Sequence, residues 1–132
     1  MFTFEDSQLP ENYKAQIAAK RLKEIYPKVD AQGFNLSIPM PGHSVGQDPE
    51  LAKKMLNETS QLEELIKCHD VIFLLLDSRE ARWLPTVLSV AHKKICITVA
   101  LGFDTFLVMR HGLSPSEAVG PRLGCYFCND VV

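Results

Sequence analysis

The hydrophobic positions of this chain switch repeatedly between helical and extended spacing. From Tyr13 to Tyr26, Ile17, Ala18, Leu22 and Ile25 fall on one helical face, with Lys20, Arg21, Lys23 and Glu24 mostly around the others. Pro27 stops that helix. In Gly33–Ile38, Phe34, Leu36 and Ile38 alternate with polar residues as in a strand, and Pro39, Pro41 and Gly42 end it in a loop. Asp48-Pro49 provides an N-cap and a first-turn proline for a helix reaching about Cys68, whose stripe is Leu51, Met55, Leu62, Leu65 and Ile66.

Val71 to Leu76 breaks the pattern, being six consecutive apolar residues. Such a run suits a central strand of a parallel sheet, buried on both faces. A helix from Glu80 to about His92 is predicted next, burying Leu84, Val87, Leu88 and Ala91, with Pro85 in its first turns, where the missing amide costs least. Ile95–Leu101 is a β-branched strand and Phe103–Met109 one more. The order helix, strand, helix, strand, helix, strand, strand predicts an α/β fold with a parallel sheet and right-handed crossovers. A doubly wound domain normally opens with a strand and its tight βα turn, and this chain opens with a helix. The expectation is a Rossmann-like, mainly parallel sheet that lacks its first βα unit.

At 132 residues the chain is one domain at most, with 46% hydrophobic and 23% charged residues, as in ordinary globular proteins. A net charge of −2 without a basic run argues against nucleic acid or lipid headgroups as partners. The longest apolar run is too short to span a membrane and the N-terminus lacks a basic-then-apolar leader, so a cytosolic location is the default.

Asp77 follows the apolar run directly, at the carboxyl end of a strand, where ligands of open α/β sheets bind. Two readings stay open. Asp77-Ser78-Arg79-Glu80 can be a capping box, which alone stabilises a helix by roughly 1 kcal/mol. Alternatively the carboxylate helps hold Mg²⁺ on a nucleotide. Lys14 opens its helix and is either a solvated surface lysine or a phosphate contact. Cys125-Tyr126-Phe127-Cys128 is half of a tetrahedral zinc site, a redox pair or chance; Cys68 and Cys96 are poorly placed to complete a site. His43, His69, His92 and His111 show no metal-motif spacing, and helix-end stabilisation accounts for His69 and His92. Neither a GxSxG elbow nor a phosphate-binding glycine loop is present.

The strings GFNLSIPMPGH (Gly33–His43), HDVIFLLLDSREARWLP (His69–Pro85), ALGFDTFLVMRHG (Ala100–Gly112) and LGCYFCNDVV (Leu123–Val132) resemble the autophagy-type ubiquitin-like modifier-activating enzymes of the ThiF/MoeB-like adenylating superfamily. The resemblance covers nearly the whole chain. It implies a parent that adenylates the C-terminal glycine of a ubiquitin-like modifier with ATP and passes it, through a cysteine thioester, to a conjugating enzyme. On that resemblance Asp77 is the Mg-ATP residue and Lys14 a phosphate contact. Asp77-Ser78-Arg79-Glu80-Ala81-Arg82 matches the DNxxxR pattern, with Ser78 for asparagine and Arg82 as its arginine, which the resemblance counts with Asp77 and Lys14 among the cofactor-binding residues. Ile38 and Met40 lie on the adenine side. Cys125 and Cys128 are half of a four-cysteine structural zinc site.

The resemblance also implies cofactors ATP, Mg²⁺ and Zn²⁺, a homodimeric parent, and a cytoplasmic protein acting at the pre-autophagosomal structure. In the family the glycine-rich nucleotide loop and its following arginine lie upstream of the matched segments. The nucleophilic cysteine and second CxxC lie downstream. Residues 1–132 are therefore expected to be the later part of an adenylation domain ending in a half zinc site at 125–128, with no catalytic nucleophile and no activity alone. A stretch shorter than usual separates Gly112 from Leu123. A non-catalytic α/β interaction or dimerisation module is the alternative, and a small redox protein using Cys125 and Cys128 a third.

Overall fold

In the computed structural model, residues 2–8, 13–43, 46, 48–112 and 123–129 are described. The chain divides into two units, Met1–Ser37 and Ile38–Val132. The first holds α1 (Phe4–Ser7) and α2 (Lys14–Ile25). A capping box starts α1, with Thr3 N donating to Asp6 Oδ2 at 2.8 Å and Asp6 N to Thr3 Oγ1 at 3.4 Å. Arg21 of α2 reaches Asp6 at 2.9 Å and Glu24 at 2.8 Å. Of the stripe expected on α2, Ile17 is buried, Ala18 half-buried, and Leu22 and Ile25 exposed.

No strand forms over Gly33–Ile38 among the described residues. Alternation decides only which side chains face the same way. A strand also needs a neighbour offering backbone donors and acceptors, and no described segment offers that ladder here. Gly33 is needed for close approach, because a Cβ there would lie 2.3 Å from the Ala15 carbonyl oxygen.

The second unit holds α3 (Pro49–Cys68), β1 (Val71–Leu74), α4 (Arg79–Ala91), β2 (Ile95–Leu101) and β3 (Phe106–Arg110). Asp48 caps α3, accepting from Glu50 N at 3.0 Å, with Pro49 at the first helical position as the sequence predicts. Parallel β1 and β2 pair with Val71 opposite Ile95, and α4 forms the crossover between them. Antiparallel β2 and β3 pair with Ile97 opposite Arg110, so the sheet is mixed.

Here the structure corrects the central-strand expectation. The sheet order is β1-β2-β3, which places β2 in the centre and β1 at an edge of the described sheet. The register divides its side chains cleanly. Ile72, Leu74, Cys96, Thr98, Ala100, Leu107 and Met109 share the face that α4 covers. Phe73, Leu101, Phe106 and Val108 lie on the opposite face and are 60%, 85%, 77% and 62% exposed. The apolar run is thus buried on one side only.

The stripe expected on α4 is also rotated. Ala81, Arg82, Pro85, Thr86 and Ser89 are buried, while Leu84 and Leu88 are half-buried and Val87 and Ala91 exposed. Pro85 is seventh in the helix, past the first turn, so its missing amide leaves the Ala81 carbonyl without its regular partner. Between α3 and α4, His92 Nε2 lies 2.8 Å from Glu63 Oε1.

Candidate functional site

The carboxyl end of β1 leads through Leu75 and Leu76 to Asp77. The cap of α4 sits one residue later than the capping-box reading places it: Ser78 is the N-cap, and its Oγ accepts from Ala81 N at 3.3 Å. Asp77 is exposed, and no hydrogen bond or ion pair joins its carboxylate to the described residues. A carboxylate at the ligand end of the sheet is therefore left without a structural task.

Ser78 Oγ also faces Met40 Sδ at 3.9 Å, bringing the Met40 loop beside the start of α4. Pro39, Met40 and Pro41 join Thr59 of α3 and Trp83 and Leu84 of α4 around an open apolar hollow of about 620 Å³, within the size range of small-molecule sites. Half-buried Ile38 stands just before the lining residues. Lys14 belongs to the first unit; it is exposed at the first position of α2, with no ion pair to the described residues.

Arg82 is 2% exposed and turns inward. Its Nη1 donates to Leu74 O at 3.0 Å and its Nη2 to Val99 O at 3.1 Å and to Leu76 O. The guanidinium therefore ties the ends of β1 and β2 together. Its other face lies over the Tyr126 ring, 5.3 Å from the centroid.

The Cys125–Cys128 turn is docked by backbone. Gly112 N donates to Gly124 O at 3.1 Å, and a Cβ on Gly112 would sit 1.9 Å from Leu123 O. Cys125 Sγ and Cys128 Sγ are 3.4 Å apart. Tetrahedral zinc with bonds of about 2.3 Å places two sulfurs about 3.8 Å apart, so the pair fits two corners of such a site. No group of three or more potential ligands occurs among the described residues. Cys68 lies at the end of α3 beside His69 Nδ1 at 3.2 Å, and Cys96 is buried in β2, where burial pushes its thiol pKa up.

Periodicity gave no sign of His111. It is 2% exposed, its Nε2 lies 2.8 Å from Thr98 Oγ1, and its Nδ1 has no hydrogen-bond partner among the described residues. Burial, then the Arg82 charge, lowers its pKa below 6.5. Its place next to Gly112, at the end of β3, was the only signal available in the sequence.

A βαβ crossover with a carboxylate released at the strand end and an apolar hollow beside it is the arrangement of an open α/β domain, whose ligands bind beyond the carboxyl ends of the strands. The chain belongs to the ThiF family, which it matches over residues 1–131. It is 48% identical to the ubiquitin-like modifier-activating enzyme ATG7 of Rattus norvegicus, 52% to that of Kluyveromyces marxianus and 50% to that of Dictyostelium discoideum. Each alignment covers 100% of this chain and 22%, 20% and 20% of the relative, so the chain spans about a fifth of their length. Among the described residues no helix is long and apolar enough to cross a membrane.

Proposed function

We propose that this chain supplies part of the adenylation domain of an enzyme that activates a ubiquitin-like autophagy modifier. In that enzyme the modifier's C-terminal carboxylate attacks the α-phosphate of ATP and releases pyrophosphate. A cysteine thiol outside this chain then displaces AMP to form a thioester, which a conjugating enzyme accepts. The observation that carries the reading is the Asp77 carboxylate, left unengaged at the end of β1 because Ser78 caps α4. When bound, magnesium neutralises phosphate charge. Asp77 is suited to hold it, since hard cations often take only one or two protein carboxylates.

Met40 and Ile38 flank the hollow beside Ser78 and form the adenine side in this reading, while Lys14 contacts phosphate. Arg82, which the resemblance counts among the cofactor-binding residues, has three of its donors on backbone carbonyls, so in this reading it serves the nucleotide by holding the strand ends. Cys125 and Cys128 contribute two of four zinc ligands.

The chain alone is expected to be inactive. Adenylation relies on positioning and on donors aimed at the phosphates, and the sequence has no glycine loop to cradle them. A chimera tests the reading: residues 1–132 replace the matching stretch of the Kluyveromyces relative, and modifier-dependent ATP–pyrophosphate exchange is measured. Exchange is expected, with Asp77→Asn lowering it by about a hundredfold or more. Full exchange in the Asp77→Asn chimera would sink the proposal. A second reading, a non-catalytic interaction or dimerisation module, draws on the bare apolar face of the sheet. It predicts a chimera that folds and self-associates yet never exchanges pyrophosphate.

A further inference from the structure

We propose that Arg82 and Tyr126 are positioning residues that join the Cys125–Cys128 turn to the carboxyl ends of β1 and β2, and so set where Asp77 stands. That Asp77 has a ligand to meet rests on the function proposed above. The linkage itself does not.

Two cations one helical turn apart lie against two adjacent rings. Arg82 sits over Tyr126 at 5.3 Å and Arg79 over Phe127 at 5.7 Å, and the rings themselves meet edge-to-face at 5.3 Å. Arg79 is the first residue of α4, so the clamp grips the turn that follows Asp77 and Ser78. The ring-bearing turn is stiff in its own right. Cys125 O accepts from Cys128 N at 3.1 Å, Asn129 N at 3.3 Å and Asn129 Nδ2 at 2.9 Å.

Arg82 carries a buried charge, and no carboxylate pairs with it among the described residues. Carbonyls of Leu74, Leu76 and Val99 compensate it on one side and the Tyr126 ring on the other. A buried cation so held is costly once any part of its surround is lost. Removing the ring therefore loosens the grip on Leu76 O, one residue before Asp77. Lysine cannot replace the arginine, because a point ammonium cannot span carbonyls on two strands and present a flat face to a ring.

The test follows the Ala81 amide, bonded to Ser78 Oγ, by hydrogen exchange in the whole chain, with α2 amides as the control. Tyr126→Leu is expected to speed Ala81 exchange about tenfold and leave α2 unchanged, whereas Tyr126→Phe, which keeps a ring, stays near the parent rate. Arg82→Lys should match Tyr126→Leu, and the double variant should be no faster than either. A Leu variant exchanging like the parent, or an additive double variant, overturns the linkage. Should Tyr126→Leu fail to fold, the Arg82 Nε proton decides: it must resonate upfield from ring current in both the parent and Tyr126→Phe, and a normal position in either overturns the proposal. In the chimera, Tyr126→Leu should raise the KM for ATP and Tyr126→Phe restore it; an unchanged KM removes the positioning of Asp77. An unsubstituted chimera without exchange would defeat the proposed function, leaving the linkage to the amide result.

Discussion

His111 sits in the core with Nε2 2.8 Å from Thr98 Oγ1 and Nδ1 unpaired among the described residues, close enough to Arg82 to feel its charge. Its folded pKa is lowered, so the unfolded chain takes a proton near 6.5 while the folded chain resists until lower pH. The stabilisation is complete above 6.5 and is lost as pH falls from there through the folded value. Melting temperature is therefore expected to drop between pH 7 and 5, and His111→Gln, which keeps a polar partner for Thr98 without titrating, should flatten that slope. Equal slopes would refute the assignment. Glu63 acts lower on the scale: its bond to His92, then Lys67, depresses its pKa below 4.5, so its contribution holds above 4.5 and fades beneath it. None of the polar core was legible beforehand. Thr86, Ser89, Thr98 and His111 are types that patterning assigns to the surface, and only the packing of α4 on β2 brings them inside.

The helix α4 shows what periodicity can and cannot supply. The sequence predicts Glu80–His92 and the helix runs Arg79–Ala91, so its existence and length were readable. Its buried face was not, since the most apolar stripe includes Val87 and Ala91, which stay exposed, whereas Arg82 goes inside to meet strand-end carbonyls. The adjacent Asp77 and Ser78 are both good caps. The cap falls to Ser78, which stands in extended backbone at φ −115° and ψ 153° with its Oγ on Ala81 N, a geometry composition does not encode. Ser78→Ala should therefore cost about 1 kcal/mol in urea unfolding. Asp77→Asn should change stability by no more than about 0.5 kcal/mol. The reverse order would return Asp77 to a capping role and remove its availability for a ligand. At the other end of α4, Lys93 takes φ 56°, with Lys94 N donating to Ser89 O at 2.8 Å. A lysine in that left-handed region is strained, so Lys93→Gly should raise stability by up to about 1 kcal/mol; a loss instead would mean its side chain matters more than its backbone.

For the molecule as a whole, the apolar run at Val71–Leu76 announced the sheet and the place of Asp77 but promised burial on two faces where one is covered. Register explains the outcome: successive side chains alternate, α4 takes Ile72 and Leu74, and Phe73 is left facing out with Phe106 and Val108 of β3. A contiguous apolar sheet face of this kind, beside a strand edge that no described residue pairs with, favours association and dye binding. Replacing Phe73, Phe106 and Val108 together by threonine keeps strand propensity and leaves the α4-facing side untouched, so the fold should persist. The triple variant is expected to bind less of a hydrophobic fluorescent dye and to sediment as a smaller species than the parent chain. Unchanged dye binding would locate the accessible apolar surface elsewhere, the alternative being the outer face of α4, where Trp83, Val87 and Val90 meet Cys125 and Phe127 around a hollow of about 450 Å³.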